Sequence, residues 1–259
     1  MKRINLNADL GESFGAWTMG EDAALLQVIC SANIACGFHA GDPLVMRQTV
    51  HTALAAGVTL GAHPAYPDLQ GFGRRPMKLA AAELEAMILY QLGALAGIAA
   101  AEGGRLTHVK PHGALSNQAC EDADLAWTVV RAVRAFDRDL ILLAPVLSEL
   151  YRAAEAAGLP VAGEIFADRA YTDTGMLVPR KQPGAVIHDP DALVDHVLRM
   201  LDAGGVVSQS GKVLSATMDS ICVHGDTPGA VDSARRLRHA LETAGWQLAG
   251  LTAVVAGRA

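Results

Sequence analysis

The sequence predicts an α/β fold whose parallel strands close into a barrel, and three observations lead there. Apolar runs alternate with helical stretches along the whole 259-residue chain, the pattern of strand–helix repeats and a parallel sheet. Nearly every strand candidate ends in polar, ionisable residues. An open, doubly wound sheet would gather its ligand at one switch point, whereas a barrel brings all its strand C-termini to one mouth. No linker, low-complexity stretch or charge block divides the chain, so residues 1–259 are expected to form a single (β/α) barrel domain.

The strand candidates are Arg3–Asp9, Ala32–Gly37, Val58–His63, Leu106–Lys110, Leu140–Ala144, Val161–Phe166 and Ser220–His224. Side chains along a strand alternate between two faces. In the first, Ile4, Leu6 and Ala8 oppose Asn5, Asn7 and Asp9. In the second, Ile34, Cys36 and Phe38 oppose Asn33 and His39. Val58, Leu60 and Ala62 oppose Thr59 and His63 in the third, and Val109 opposes His108, Lys110 and His112 in the fourth. Val161 and Ile165 oppose Glu164 in the sixth, and Ile221 and Val223 oppose Ser220, Cys222, His224 and Asp226 in the seventh. The apolar faces suit contact with surrounding helices and the polar faces suit the barrel interior. Burying unpartnered polar groups costs about 1–3 kcal/mol each, so these groups are expected to meet one another, a ligand or a metal. The fifth candidate is apolar on both faces and is expected to add nothing to the site. A weaker hairpin, VVSQSGKVLS, spans Val206–Ser215.

Helices fill the gaps. Asp42-Pro43, Asp189-Pro190 and Thr227-Pro228 each set a capping residue before Pro at the first helical position. Gly57, Gly103 and Gly158 fall where helices should stop. The Ala-rich stretch Leu79–Ala101 is helical by composition.

Composition narrows the classes of function. The chain is 51% hydrophobic, with a net charge of −6 and no Lys/Arg-rich run, which argues against a nucleic-acid partner. The N-terminus lacks the apolar stretch of a signal peptide, and no uncharged apolar span is expected to cross a bilayer. Cys30, Cys36, Cys120 and Cys222 show no CxxC spacing. A reduced, cytoplasmic protein with free thiols is the expectation.

The motifs sit at strand ends. NADLGES holds Asn7, Asp9 and Glu12, carboxylates suited to acid–base work or metal ligation, or to capping a turn. GFHAGDP holds His39, and Asp42, which reads as a helix cap. GAHPAYPDLQGFGRR places His63 before a loop ending in Arg74 and Arg75, and an arginine can grip a carboxylate with two parallel hydrogen bonds. HVKPHGALSN spaces His108, Lys110 and His112 two apart, with His108 read as a deep structural histidine. GEIFADRAYTDTGMLVPR combines Glu164, Asp168, Arg169, Tyr171 and Arg180 on a long connection that would serve as a lid. VHGDTPGA ends a strand in His224 and Asp226, where helix-start amides would accept a phosphate or carboxylate. No GxxxxGK[ST] stretch is present, so the chain carries no P-loop of its own.

Taken together, LNADLGESFG, ANIACGFHAGDP, GAHPAYPDLQGFGRR, VKPHGAL, FADRAYTDTGMLVPR and VHGDTPGA resemble the LamB/YcsF-like lactam-utilisation family, that of the 5-oxoprolinase A subunits. The resemblance covers nearly the whole chain. It implies a TIM-like (β/α)7 barrel, similar to the glycoside hydrolase/deacetylase superfamily. It also implies ATP-dependent opening of 5-oxoproline (pyroglutamate) to L-glutamate together with partner subunits B and C.

On that substrate, residue chemistry suggests roles. Asp9 or Glu12 would activate water; His39, His63 and His112 would position water or shuttle protons. Lys110 would stabilise an oxyanion or phosphoryl group. Arg75 or Arg180 would hold the substrate carboxylate, with Asn7, Glu164, His224 and Asp226 completing the substrate site. ATP would be handled wholly or partly with a partner. A second reading is a metal-dependent, deacetylase-like amide hydrolase, with Asp9, His39 and His63 as the ligand candidates for Zn²⁺ or another divalent metal; the chain has no HxxxH pair and no spacing that demands one. A third is a non-catalytic subunit that binds the lactam and presents it to a partner.

Overall fold

The computed structural model describes residues 2–223 and 229–258. The elements in chain order are β1 (Arg3–Leu10), α1 (Asp22–Leu25), β2 (Ser31–Ala35), α2 (Pro43–Ala55), β3 (Thr59–His63), α3 (Ala81–Ala101), β4 (Leu106–Val109), α4 (Gly113–Glu121), α5 (Ala123–Phe136), β5 (Ile141–Pro145), α6 (Glu149–Ala157), β6 (Val161–Phe166), α7 (Pro190–Ala203), β7 (Gly205–Val207), β8 (Val213–Ser215), β9 (Ser220–Cys222), α8 (Ala230–Thr243), β10 (Gln247–Leu248) and α9 (Leu251–Ala256). Seven parallel strands close a ring: β1 to β6 pair in sequence, β6 pairs with β9, and β9 returns to β1. The strands and the expected hairpin, here β7 with β8, lie within two residues of their expected bounds. His224 and the helix start at Thr227-Pro228 lie outside the described residues.

Local chemistry explains the boundaries. Asp42 caps α2 by accepting from the backbone N–H groups of Leu44 and Val45, and Asp189 caps α7 by accepting from that of Ala192. Gly57, Gly103 and Gly158 take left-handed backbone at the ends of α2, α3 and α6. The outward faces of the strands, such as Ile4, Leu6, Ala8 and Leu10, are fully buried beneath the helices.

Helix α3 forms over the Ala-rich stretch expected to be helical. Its 21 residues, with mean hydropathy 1.5, are long and apolar enough to cross a membrane by length and composition. Glu83 and Glu85 near its start keep it from being an uncharged span, which is why the sequence alone suggests none. Here it packs on the barrel against β3 and α5 through the face carrying Leu84, Ile88, Leu92 and Leu95.

The barrel has a floor and a mouth. Strand β10 pairs with the start of β1, and α9 then packs across β1, β4 and β6. Leu251 of α9 meets Ile141, Leu143 and Ala162 in a small apolar cluster. This plug closes the N-terminal end of the strands and leaves their C-terminal ends open.

One glycine makes room inside. Between β3 and β4 the register shifts so that Gly61 faces His108. A Cβ at Gly61 would come within 2.1 Å of His108 Nε2. Gly61→Ala should therefore lower stability by about 1–3 kcal/mol through overpacking, read as a drop in the urea midpoint at unchanged slope.

Candidate active site

The site is the top of a hydrogen-bonded ladder along the barrel axis. At the floor, Asn5 Nδ2 donates to the Ala249 carbonyl and to Ser31 Oγ, both at 2.8 Å, and Ser220 Oγ donates to Asn5 Oδ1 at 2.7 Å. One layer up, Asn7 Nδ2 donates to Ser220 Oγ at 2.8 Å and Glu164 Oε1 at 3.0 Å. Asn33 Nδ2 donates to Asn7 Oδ1 at 2.7 Å and Asp9 Oδ1 at 2.9 Å. His108 is fully buried between Asn33 Oδ1 (3.0 Å) and Thr107 Oγ1 (2.8 Å). Burial, with Lys110 and His63 nearby, pushes its pKa down to about 3.

Lys110 ties this ladder to the mouth. Its ammonium lies 3.0 Å from both Asp9 Oδ1 and Glu164 Oε1, 3.1 Å from Cys222 Sγ and 3.4 Å from Asn7 Oδ1. Burial alone would lower its pKa, but Asp9, Cys222 and Glu164 outweigh that and hold it well above the usual range.

Above Lys110, three histidines and two carboxylates converge. His63 Nδ1 lies 2.6 Å from the Lys110 carbonyl, and His112 Nε2 lies 2.8 Å from the Phe72 carbonyl. A carbonyl only accepts, so each of these nitrogens carries the proton. In the neutral rings, that leaves lone pairs on His63 Nε2 and His112 Nδ1, which face each other at 3.0 Å. Asp9 Oδ2 is 3.2 Å from His63 Nε2, and Glu12 Oε1 is 3.4 Å from His112 Nδ1. His39 stacks on His112 with centroids 3.8 Å apart, its Nε2 lies 3.0 Å from Glu12 Oε1, and its buried Nδ1 has no hydrogen-bond partner among the described residues.

Acceptors facing acceptors need protons or a cation between them. Burial and then Asp9 raise the Glu12 pKa. Burial would lower that of His63, but Asp9 more than offsets it and raises it. Burial and neighbouring imidazoles hold His39 and His112 well below the ordinary histidine value. The donor atoms of Glu12, His39, His63 and His112 all lie within 4.8 Å of one another, close enough to surround one metal ion.

A cavity of about 490 Å³ opens onto this cluster, within the range of small-ligand sites. Asp9, Glu12, His63, Lys110 and His112 line it, and so does Arg180. His39 supports the cluster from behind His112. Asn7 and Glu164 lie one layer below and do not line the cavity. Arg75 is turned aside: its guanidinium pairs with Asp68, and its Nε donates to Asp68 Oδ1 at 2.8 Å. The neighbouring Arg74 lines the cavity instead. His224 and Asp226 lie outside the described residues.

Other walls carry weaker sequence signals. Gly113, Ser116, Asn117 and Cys120 line one side of the cavity; their spacing in HGALSNQAC is that of one helix face, a readable signal. Pro145, the last residue of β5, and Val146 form an apolar wall. The fifth strand therefore contributes to the site, contrary to expectation, because its contribution is shape rather than charge. The connection after β6 forms the roof with Tyr171 and Gly175–Arg180. Arg169 holds that roof through the Val178 and Ala185 carbonyls, and Asp173 ties it to Ser208 and Ser210 of the hairpin, both at 2.6 Å.

The profile of the LamB/YcsF family matches residues 4–256. A protein of Azoarcus sp. (strain BH72), named as the A subunit of 5-oxoprolinase, is 78% identical over 97% of this chain and 98% of its own length. One of the same name from Methylococcus capsulatus (strain ATCC 33009 / NCIMB 11132 / Bath) is 54% identical over 100% of this chain and 99% of its own. The crystal structure of the lactam utilization protein from Thermus thermophilus superposes at a TM-score of 0.90, with 44% identity, covering 96% of this chain and 99% of that one. A structure described as T48 deacetylase with substrate superposes at 0.53 with 14% identity, over 99% of this chain and 92% of that one, a likeness of fold alone.

The buried His108 predicts acid sensitivity. An unfolded histidine takes up a proton near pH 6.5, whereas the folded His108 resists until about pH 3. Its contribution is complete above about pH 6.5 and is lost as pH falls from there towards 3, at up to about 1.4 kcal/mol per pH unit. In urea unfolding between pH 7 and 4, His108→Gln should flatten this acid limb relative to wild type.

Proposed function

Because this chain belongs to the LamB/YcsF family, we propose that it opens the lactam ring of 5-oxoproline to L-glutamate, in an ATP-dependent reaction shared with partner subunits B and C. The observation that carries this reading is the convergence of Asp9, Glu12, His63 and His112 on one cavity wall. The names borne by the relatives support the substrate, and the word subunit in them supports the existence of partners. The absence of a P-loop is consistent with ATP being handled wholly or partly by a partner in the cytoplasm.

A lactam is a stable amide, so its hydrolysis needs an input of free energy. Phosphorylation of the carbonyl oxygen gives an imidate phosphate whose ring carbon accepts water. Glu12, its pKa raised by burial and by Asp9, is placed to take the proton of that water. Once water has added, the ring C–N bond breaks to leave γ-glutamyl phosphate, which a second water hydrolyses to glutamate and phosphate; the departing amine needs a proton. His63 is the proton donor, because its pKa is raised and its Nε2 faces the cluster. The Lys110 carbonyl fixes that ring and the Phe72 carbonyl fixes His112, so the reacting nitrogens need no reorientation. Lys110 acts as counter-ion: its three protons serve Asp9, Glu164 and the pair of Asn7 and Cys222, keeping Asp9 ionised beside His63. His39 steers Glu12, and the roof partly covers the cavity.

A divalent metal is the second reading, favoured by the converging donor set. Glu12, His39, His63 and His112 would hold it; the lone pairs left on His63 Nε2 and His112 Nδ1 are those a metal requires, with the opposite nitrogens anchored on carbonyls as ligating histidines usually are. A bound metal would supply Lewis acidity towards water and carbonyl oxygen.

With both partners and ATP present, Glu12→Gln and His63→Ala should each lower glutamate formation by about 10²-fold or more while remaining folded by circular dichroism. Wild-type rates in these variants would remove the assignment. Elemental analysis of protein purified without added metal separates the readings: one metal per chain, lost in His112→Ala, establishes the metal site.

A further inference from the structure

We propose that Asp68, paired with Arg75, is a positioning residue that fixes which ring nitrogen of His112 carries the proton; its bearing on turnover rests on the lactam reading above. The loop between β3 and α3 leaves the barrel at a fixed point. The Ala65 N–H donates to Gln91 Oε1, and Gln91 Nε2 donates to the Ala65 carbonyl, both at 2.9 Å. Asp68 then gathers the turn that follows. Its Oδ1 accepts from the Gly71 N–H at 2.9 Å, its main-chain carbonyl from the Gly73 N–H at 2.8 Å, and its Oδ2 from the Arg75 N–H at 3.3 Å. The Arg75 side chain closes the clamp: Nε donates to Asp68 Oδ1 at 2.8 Å, and Nη2 pairs with the same oxygen. The carboxylate is buried while the arginine side chain is exposed, so the whole pair sits on the outer side of the loop, away from the cluster. An aspartate that collects N–H groups a few residues on is a local turn-former, and charge on both partners strengthens the hold.

The turn aims a carbonyl. In a trans peptide the C=O and the N–H point in opposite directions. Drawing the Gly73 N–H onto Asp68 therefore turns the Phe72 carbonyl the other way, where it lies 2.8 Å from His112 Nε2. A carbonyl only accepts, so the proton stays on Nε2 and the lone pair on Nδ1 faces His63 Nε2 and Glu12 Oε1. The backbone needs this restraint. Phe72 and Gly73 take successive left-handed conformations, with φ of 54° and 63°, a region that phenylalanine rarely enters. The Phe72 ring also meets the imidazoles of His112 and His39 edge-on, with centroids 5.1 and 5.5 Å apart. A Cβ at Gly71 would come within 2.1 Å of Asp68 Oδ2 and 2.4 Å of Arg75 Nε, so the pair and the turn pack without space between them.

His112 thus owes its tautomer to groups that never touch the substrate. Hydrogen-bond partners on the far nitrogen of a histidine fix its ring and its basicity, and their loss typically costs about 10- to 100-fold in activity or metal affinity. Arg75 contributes from outside the cavity, by holding Asp68, rather than by gripping the substrate.

Two readouts test this. In ¹⁵N-histidine-labelled protein without partners, long-range ¹H–¹⁵N spectra should show wild-type His112 protonated at Nε2 alone, and Asp68→Ala should add a population protonated at Nδ1. With both partners and ATP, Asp68→Ala should lower kcat for 5-oxoproline about 10- to 100-fold, with KM changed by less than about threefold. Asp68→Asn keeps an oxygen for the Gly71 N–H but loses the charge. It should lie between wild type and Asp68→Ala in both readouts, and it carries the test if the alanine variant does not fold. A His112 still protonated at Nε2 alone in the variant that carries the test overturns the assignment, even where kcat falls. So does a kcat within twofold of wild type, or a KM that rises in step with the fall in kcat. A wild-type assembly that makes no glutamate overturns the lactam reading itself and leaves the tautomer readout standing.

Discussion

A line of hydrogen-bonded side chains through the middle of the barrel is the constraint on which the rest depends. Seven strands around a small radius force their inward residues into contact, and here those residues are amides, hydroxyls, an imidazole, a lysine and carboxylates. Polar groups at this depth are tolerated only in partnership. Asn5 reaches the floor, Asn7 and Asn33 form the middle, and Lys110 joins Asp9 to Glu164 at the top. Each layer fixes the rotamers of the next, so the groups at the mouth rest on a rigid column. The apolar plug from α9 closes the lower end.

At the upper end the same logic becomes chemistry. The column delivers Asp9, and the strand ends deliver His63 and His112, with their outward nitrogens anchored on backbone carbonyls. Glu12 and His39 arrive from the loops after β1 and β2. The result is a set of acceptors aimed at one another, with the pKa values of both Glu12 and His63 raised. The roof, held by Arg169 and Asp173, partly covers the barrel mouth.

Much of this is legible in the sequence because strands have a period of two. Parity alone sorts Asn5, Asn7 and Asp9 from Ile4, Leu6 and Ala8, and it places His63, His108 and Lys110 on the polar side. Parity gives the face but not the height. Asn7 pairs in register with Ser31 and Cys222, which sets it below the cavity, and only the folded register reveals that. Loop residues have no parity at all. Whether Arg74 or Arg75 turns inward depends on the left-handed pair at Phe72 and Gly73, and a left-handed phenylalanine has no sequence signature. The apolar wall at Pro145 and Val146 escapes notice for a different reason: a surface that works by shape looks like any other core. Proline and aspartate at helix starts, by contrast, read directly as caps.

The proton positions on the imidazoles test the arrangement most directly. Long-range ¹H–¹⁵N correlation spectra of the ¹⁵N-histidine-labelled protein, assigned by single substitutions, report which ring nitrogen carries the proton. Anchoring on the Phe72 and Lys110 carbonyls predicts a neutral His112 protonated at Nε2, and a His63 whose Nδ1 is protonated throughout. A His112 protonated at Nδ1, or a His63 with a bare Nδ1, would mean that the acceptors do not converge, and the chemistry assigned to the mouth would have no basis.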